Sequence, residues 1–175
     1  MSVSQGPKLE TIADVQKASY KEIKKLRLMN GEKVPTLKEY LKQGKKGNIK
    51  LIFELKVHPS GEKENTAVKK SVEMVKKMKL QNKVEFISFS LEACKQLARL
   101  MPECRVQYLS GKIPPKELKE MGIMGLDYHY SQIQKNPQWI EEAHKLGMIV
   151  NVWTVNKPEL IKEMIDFFIR FILLF

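Results

Sequence analysis

Short apolar runs alternate with segments of helical periodicity along most of this chain. The runs that read as strands are Ile49–Val57, Val84–Phe89, Arg105–Leu109, Ile123–Tyr128 and Met148–Val155. A strand that is repeatedly followed by a helix indicates an α/β protein with a mostly parallel sheet, because parallel neighbours require a crossover connection. A barrel and a doubly wound sheet fit this pattern equally well.

The segments between the runs predict helices with recognisable ends. Thr36–Gln43 follows Pro35, and Glu39 stands three residues after Thr36, which is the spacing of a capping box. Asn65–Leu80 carries valines three and four positions apart, and its lysines fall on the opposite, solvent face. The remaining predicted helices are Ser90–Leu100, Pro115–Met121 and Pro137–Leu146, the last followed by Gly147 at the position of a C-cap glycine.

The charge of the chain is unevenly distributed. Of its 175 residues, 31 are Lys or Arg and 20 are Asp or Glu, a formal net charge of +11. Residues 1–83 hold 20 basic and 9 acidic side chains, so they carry the whole excess. A basic segment of this kind suggests nucleic acid or an anionic surface as a binding partner. Residues 1–83, however, contain no nucleic-acid recognition motif and no interleaved aromatic residues on which bases could stack. A solvated lysine face is the simpler interpretation, and we expect no nucleic-acid partner.

The two cysteines and the ends of the sequence give little information about the fold or the function. Cys94 and Cys104 have neither a disulfide framework nor a zinc spacing. The first residues contain no apolar stretch typical of a secretory signal. Phe167–Phe175 is strongly apolar, but its nine residues include Arg170 and fall short of the ~20 that a spanning helix needs. We therefore expect no transmembrane segment, and a buried or abnormally terminated segment at Phe167–Phe175.

The strand Ile49–Val57 is the most informative for chemistry. Alternation places Leu51, Phe53 and Leu55 on one face and Ile52, Glu54 and Lys56 on the other. Charged residues at the C-terminal end of a parallel strand are typical of an active site in α/β folds. An edge strand whose Glu54 and Lys56 face water explains the same pattern.

The ordered motifs of the chain resemble those of the glycerophosphodiester phosphodiesterases. Val34–Leu41 (VPTLKEYL) and Ile52–Lys56 (IFELK) are similar to the P-T-L-x-E-x-L and I-E-x-K signature of that family. Phe86–Phe89 (FISF) and Val152–Asn156 (VWTVN) follow in the family's order, and the similarity covers about residues 10–165.

The resemblance implies a TIM-type (β/α) barrel that hydrolyses glycerophosphodiesters to glycerol 3-phosphate and an alcohol, with a divalent metal, Ca²⁺ or Mg²⁺. Glu54 then matches a metal ligand, Lys56 matches the lysine directed at the phosphate, and Trp153 matches the aromatic residue near the glycerol end of the substrate. A hard cation on oxygen ligands and a lysine suit the charge that develops in phosphodiester hydrolysis.

The departures from the family concern the rest of its site. The H-R-G, P-E-N-T and H-D motifs, which supply the acid and base histidines and two metal carboxylates, do not precede Glu54. Glu64-Asn65-Thr66 reads E-N-T but lies at the start of a helix, so no metal role is transferred to it. His58 could face the pocket, His129 follows a strand end, and His144 falls in a helix, where a structural role is expected.

The family's final strand motif is also missing. We therefore expect one domain over residues 1–175 that forms an incomplete barrel, with units three to seven present and the first two strands and the last strand missing. The open edges of such a barrel expose apolar surface and suit oligomer formation.

Three functions follow: a family enzyme that is inactive in this truncated chain, a non-catalytic or partner-dependent fragment, and, least favoured, a basic nucleic-acid-binding protein. Whether the chain is an enzyme stays open, because hydrolysis needs an acid and a base, and we expect the chain to bind the metal weakly or not at all. As given, the sequence predicts a cytoplasmic protein, although many family members are exported.

Overall fold

The computed structural model describes residues 2–5, 10–167 and 171–172. Strands β1 (Ser2–Gln5) and β2 (Glu10–Asp14) pair antiparallel as a separate two-stranded sheet. A six-stranded sheet contains β3 (Leu51–Glu54), β4 (Val84–Ser88), β5 (Arg105–Tyr108), β6 (Gly125–His129), β7 (Ile149–Trp153) and β8 (Phe171–Ile172). The described helices are α1 (Tyr20–Ile23), α2 (Leu37–Lys46), α3 (Gly61–Met78), α4 (Leu91–Leu100), α5 (Pro115–Glu120), α6 (Tyr130–Lys135), α7 (Gln138–Lys145) and α8 (Pro158–Asp166).

The order of the strands decides between the two folds that periodicity left open. Every neighbouring pair in the six-stranded sheet is parallel, and the strands lie side by side in their order along the chain. A doubly wound sheet reverses its order at a switch point, whereas a (β/α) barrel adds each strand beside the previous one. The described sheet therefore has the topology of a barrel wall.

The predicted helices begin close to their expected positions except for α3, which begins at Gly61 rather than Asn65. The Thr36 hydroxyl accepts a hydrogen bond from the Glu39 amide at 3.3 Å, and the Glu39 carboxylate accepts one from the Thr36 amide at 2.8 Å. This confirms the predicted capping box of α2. Ser60 and Ser90 cap α3 and α4 through their hydroxyl oxygens alone, which accept hydrogen bonds from the Lys63 and Ala93 amides. Gly147 follows α7 with φ +68°, the left-handed conformation that favours glycine at a helix end.

The core lies between the sheet and the helices outside it. Val68 and Val75 of α3 and Phe86 of β4 are fully buried there. Gly125 allows two strands to approach closely, since a Cβ at this position would lie 2.6 Å from Cγ1 of Ile149. Helices pack on one face of the sheet, and its other face, the barrel side, positions the polar residues described below.

The six-stranded sheet differs from the sequence-based expectation at both of its ends. Strand β3 ends at Glu54 rather than Val57, and Val57 is half exposed because it lies beyond the last ladder hydrogen bonds. No strand was expected after α8, but the backbone of Phe171–Ile172 pairs in parallel with Asn151–Val152. Aromatic and β-branched residues favour this extended conformation even without the family motif. The rest of the predicted Phe167–Phe175 segment, residues 168–170 and 173–175, lies outside the described residues.

Candidate functional site

One cavity collects all three residues singled out from the sequence. It has a volume of roughly 390 Å³ and lies at the C-terminal ends of the strands, between β3 and β7. Glu54, Lys56 and Trp153 line it, and the remaining lining residues are Ile52, Ile87, Phe89, Leu109 and Thr154. The C-terminal face of a parallel barrel is where ligands and catalytic groups converge. The cavity is therefore the candidate functional site.

Glu54 and Lys56 form an ion pair at the mouth of this cavity. The Lys56 ammonium lies 2.6 Å from Oε1 of Glu54, and the Lys56 and Glu54 side chains are 44% and 28% exposed. They meet because residues two apart on an extended chain face the same side. An ion pair with this exposure adds little to stability. Lys56 can therefore exchange its carboxylate partner for an anionic ligand at small cost.

Trp153 forms an aromatic wall of the same cavity. Its indole N–H donates to the backbone carbonyl of Asp127 at 2.8 Å, which fixes the orientation of the ring. The rings of Phe89 and His129 meet it edge to face, with centroids 5.7 Å and 5.0 Å away. Of these rings, Trp153 and Phe89 line the cavity, and His129 packs against Trp153 from outside the lining.

The three histidines occupy different surroundings. His58 lines a second cavity of roughly 630 Å³ that shares Lys56, and its Nδ1 lies 2.7 Å from the Lys56 carbonyl oxygen. His129 ends β6, and its Nδ1 lies 2.8 Å from the Ser131 hydroxyl at the start of α6. His144 is an exposed residue of α7. The structure thus places His58 and His129 beside residues of the candidate site and His144 away from it.

The E-N-T tripeptide has a structural explanation. Glu64 lies in the first turn of α3, is only 7% exposed, and accepts a hydrogen bond from the Ser90 hydroxyl at 2.7 Å. Ser90 in turn caps α4. Glu64 therefore joins two helix starts behind the sheet, a position that suits a structural role rather than a metal ligand.

Sequence reasoning missed a set of buried polar residues on the barrel side of the sheet. Their side chains are at most 4% exposed; they are Glu85, Gln107, Asp127 and Asn151. Each stands between two apolar residues in the middle of its strand: V-E-F, V-Q-Y, L-D-Y and V-N-V. That recurrence was the available signal, because a mid-strand polar residue in four consecutive strands marks one face of one sheet.

These residues form a directed chain of hydrogen bonds. Asn151 donates through Nδ2 to Oε1 of Gln107, and Gln107 donates through Nε2 to Oε2 of Glu85 at 3.1 Å. Glu85 also pairs with Arg105 at 3.5 Å. Asp127 lies beside Asn151 in the β6–β7 register. Burial, and secondly the charge of Glu54, raise the pKa of Asp127 to about 7.

The described residues do not form a complete metal site. A hard divalent cation requires several oxygen ligands, and no group of three or more His, Cys, Asp or Glu side chains suited to a metal ion occurs among residues 14–167. Glu54 offers one carboxylate at the candidate site, already paired with Lys56. The chemistry that this part of the chain supports best is anion binding at Lys56 beside an apolar wall.

Comparison with known proteins identifies related folds and sequences. The glycerophosphoryl diester phosphodiesterase family matches residues 2–172 of the chain. The crystal structure of a glycerophosphodiester phosphodiesterase from Parabacteroides distasonis ATCC 8503 is 50% identical, with a TM-score of 0.89, and the match covers 91% of this chain and 68% of that one. None of the curated proteins matches.

More distant solved structures share the fold. A phosphodiesterase from Oleispira antarctica, in complex with the product sn-glycerol-3-phosphate, is 22% identical with a TM-score of 0.78, covering 93% of this chain and 68% of that one. A glycerophosphodiester phosphodiesterase from Agrobacterium tumefaciens C58 is 21% identical with a TM-score of 0.69, covering 90% and 68%. These matches confirm that the described sheet is part of a TIM-type barrel. Of the helices described, none has the length and apolar character required to cross a bilayer.

Proposed function

The chain belongs to the glycerophosphoryl diester phosphodiesterase family, and from that premise we propose that it binds glycerophosphodiesters or glycerol 3-phosphate in the cavity between β3 and β7. The observation that carries this proposal is the presence of Lys56, Glu54 and Trp153 in the lining of one cavity. We also propose that residues 1–175 act as one domain.

Lys56 is the group that we assign to the phosphate. An ammonium donates charge-assisted hydrogen bonds to phosphate oxygens, and these are stronger than bonds between neutral groups. The neighbouring Glu54 carboxylate holds Lys56 in place until a ligand replaces it. On this proposal Lys56 selects for the anionic centre of the ligand.

Trp153 is the group that we assign to the glycerol end. Its ring is held by the hydrogen bond to Asp127 and by edge-to-face contacts with Phe89 and His129. The C–H groups of glycerol pack well against an aromatic face that does not need to reorganise. The apolar side chains of Ile87 and Leu109 extend this surface.

For hydrolysis by residues 1–175, we propose little or no turnover. Members of the family are generally metal-dependent, but Glu54 is the one candidate ligand that the described part of the cavity lining provides. General acid and base catalysis also requires two groups within hydrogen-bonding reach of the reacting oxygens. His58 is bonded to its own loop, so we assign it no catalytic role.

A partner-dependent form of the chain is the second candidate, and exposed apolar side chains favour it. Ile52 lies on the barrel side of β3 yet is 41% exposed, and Phe89 at the cavity rim is 42% exposed. Apolar surface beside an edge strand is typical of an interface. If the chain forms oligomers through this edge, light scattering after size exclusion will give a mass above the 20.3 kDa of one chain.

The test of the proposed function is the release of glycerol 3-phosphate from glycerophosphocholine, measured with Ca²⁺ or Mg²⁺ for the wild type and Glu54→Ala. We expect calorimetric binding of glycerol 3-phosphate and little or no release. Turnover that disappears in Glu54→Ala would refute the binding-only proposal. Failure of the wild type to bind glycerol 3-phosphate or glycerophosphocholine would refute the proposed site itself.

A further inference from the structure

Two buried oxygen atoms in the barrel interior have no hydrogen-bond donor among the described residues. They are Oδ1 of Asp127 and Oδ1 of Asn151, on side chains that are 1% and 4% exposed. The two residues are register partners in the parallel pair β6–β7, so their side chains leave the sheet on the same face, about 5 Å apart at the backbone. Buried acceptors normally have a partner, and a neighbouring pair without one indicates a bound species.

The donor and acceptor directions along the interior chain of hydrogen bonds explain why Asn151 cannot donate a hydrogen bond to Asp127. Glu85 accepts from Gln107 and is paired with Arg105, so Gln107 must turn its NH₂ group toward Glu85. The oxygen of Gln107 then requires the NH₂ group of Asn151. Reversing Asn151 would reverse Gln107 and set two acceptors against each other at Glu85. Asn151 therefore keeps its oxygen for another partner.

The carboxylates on the barrel side of the sheet also differ in whether a basic side chain neutralises them. Glu54 has Lys56 at 2.6 Å and Glu85 has Arg105 at 3.5 Å. Asp127 has no ion pair with a basic side chain in the described part of the chain, and its pKa is raised by burial and by the charge of Glu54. An ionised carboxylate at this depth is costly unless a cation neutralises it. The unmet requirement is one positive charge next to two oxygen acceptors.

We propose that Asp127 and Asn151 bind a hard monovalent cation, Na⁺ or K⁺, in the barrel interior through their Oδ1 atoms. A carboxylate and an amide oxygen are hard ligands, and a single charge matches the one uncompensated carboxylate. The ion neutralises Asp127 and receives the oxygen that Asn151 cannot use elsewhere. This site is distinct from the anion-binding cavity of Lys56 and needs no glycerol ligand.

The site has a structural consequence for the cavity above it. Trp153 is two residues after Asn151 on the same face of β7, and its indole N–H bonds to the backbone carbonyl of Asp127. A cation that bridges β6 and β7 at Asp127 and Asn151 holds together the two strands on which the Trp153 ring depends. Occupancy of the ion site therefore supports the aromatic wall without contact between the ion and the ligand.

Thermal unfolding in different chloride salts tests the proposal. At pH 8 and constant ionic strength, replacing N-methylglucammonium by Na⁺ or K⁺ is expected to raise the Tm of the wild type by about 3 °C or more when the ion is well above its Kd. Asp127→Asn is expected to lose this increment. Asp166→Asn, the same substitution at an exposed residue of α8, is expected to keep it.

A second measurement keeps the test independent of variant stability. The ²³Na resonance is expected to broaden with folded wild-type protein at low temperature, to sharpen on addition of K⁺, and to remain narrow with Asp127→Asn. An unchanged Tm in all salts, or equal broadening with Asp127→Asn, would overturn the proposal. An unchanged Tm in all salts would show that a water molecule, or a proton on Asp127, satisfies the two Oδ1 atoms in place of a cation.

Discussion

The Lys56 ammonium and the Glu54 carboxylate lie 2.6 Å apart at the mouth of the cavity between β3 and β7. The pair joins a strand end to the loop that follows it, and both members are partly exposed. On the proposed function, a ligand phosphate competes with Glu54 for Lys56, and this competition modestly lowers the affinity of the site for an anion.

Replacing Glu54 should strengthen anion binding when no divalent metal is present. Glu54→Gln removes the competing charge but keeps the shape, so we expect the Kd for glycerol 3-phosphate in EDTA to fall by up to about fivefold, the equivalent of an exposed ion pair. Titration calorimetry measures this Kd. Glu141→Gln breaks the exposed Glu141–Lys145 pair on α7 and serves as the control, with no change expected. Weaker binding by Glu54→Gln would show that Glu54 contacts the ligand favourably.

The hydrogen bond of Trp153 should matter separately from its ring. Trp153→Phe keeps an aromatic face but removes the indole N–H that donates to the Asp127 carbonyl. The free energy of unfolding measured in urea should therefore be about 1 kcal/mol lower than that of the wild type.

The affinity of Trp153→Phe for glycerol 3-phosphate should be several-fold lower than that of the wild type, and the affinity of Trp153→Ala should be lower still. Trp139→Phe removes the other tryptophan, which packs on Tyr128 away from the cavity lining, and should leave the affinity unchanged. Equal affinities for Trp153→Ala and the wild type would remove Trp153 from the site.

The raised pKa of Asp127 predicts a pH dependence of stability. The pKa is 3.8 for an ordinary aspartate and about 7 in the folded protein. Between these values the folded state holds a proton that the unfolded state releases, so stability should fall as pH rises from about 4 to 7, by at most ~1.4 kcal/mol per pH unit. Above pH 7 this contribution is lost and the curve levels.

Urea unfolding of the wild type and Asp127→Asn in N-methylglucammonium chloride isolates that effect. The difference between their unfolding free energies should vary with pH over this window, and Na⁺ should reduce the variation because it stabilises the ionised carboxylate. Parallel curves for the two proteins from pH 4 to 7 would show that Asp127 does not titrate there.

The close contact of β6 with its neighbours should make Gly125 intolerant of a side chain. Its Cβ would lie 2.6 Å from Cγ1 of Ile149, 2.8 Å from Cγ of Gln107 and 3.1 Å from the Ile149 carbonyl oxygen. Gly125→Ala should therefore lower the free energy of unfolding by roughly 1–3 kcal/mol. Gly61→Ala, in the first turn of α3 with nothing within 4 Å, should be neutral or stabilising. Similar losses in both variants would contradict the packing described.

Much of the fold was predictable because local signals and tertiary packing agree. The capping box at Thr36 and Glu39, the start of α4 at Ser90, and the five main strands all appear close to their predicted positions, whereas α3 begins four residues before the predicted Asn65. The order of the strands distinguishes a barrel from a doubly wound sheet. Hydrophobic periodicity could not predict this order, because it depends on contacts between distant segments. The antiparallel pairing of β1 with β2 was not anticipated from the sequence.

The candidate site was only partly predictable for a similar reason. Glu54, Lys56 and Trp153 were found because they stand in recognisable motifs, and the structure adds that they line one cavity. Asp127 and Asn151 lie outside the metal and phosphate motifs of the sequence. Their importance arises from register, which sets them side by side in the buried interior. A comparison of the four strands by position would have identified them.

The central claim is that Lys56 receives the phosphate of a glycerophosphodiester-type ligand. Calorimetric titration of glycerol 3-phosphate into the wild type, Lys56→Met and Lys69→Met tests it most directly, because Lys69 is an exposed lysine on α3 outside the lining of both cavities that Lys56 lines. We predict saturable binding by the wild type and Lys69→Met, and at least a tenfold weaker affinity for Lys56→Met. Equal affinities for all three proteins, or no binding by any of them, would contradict it.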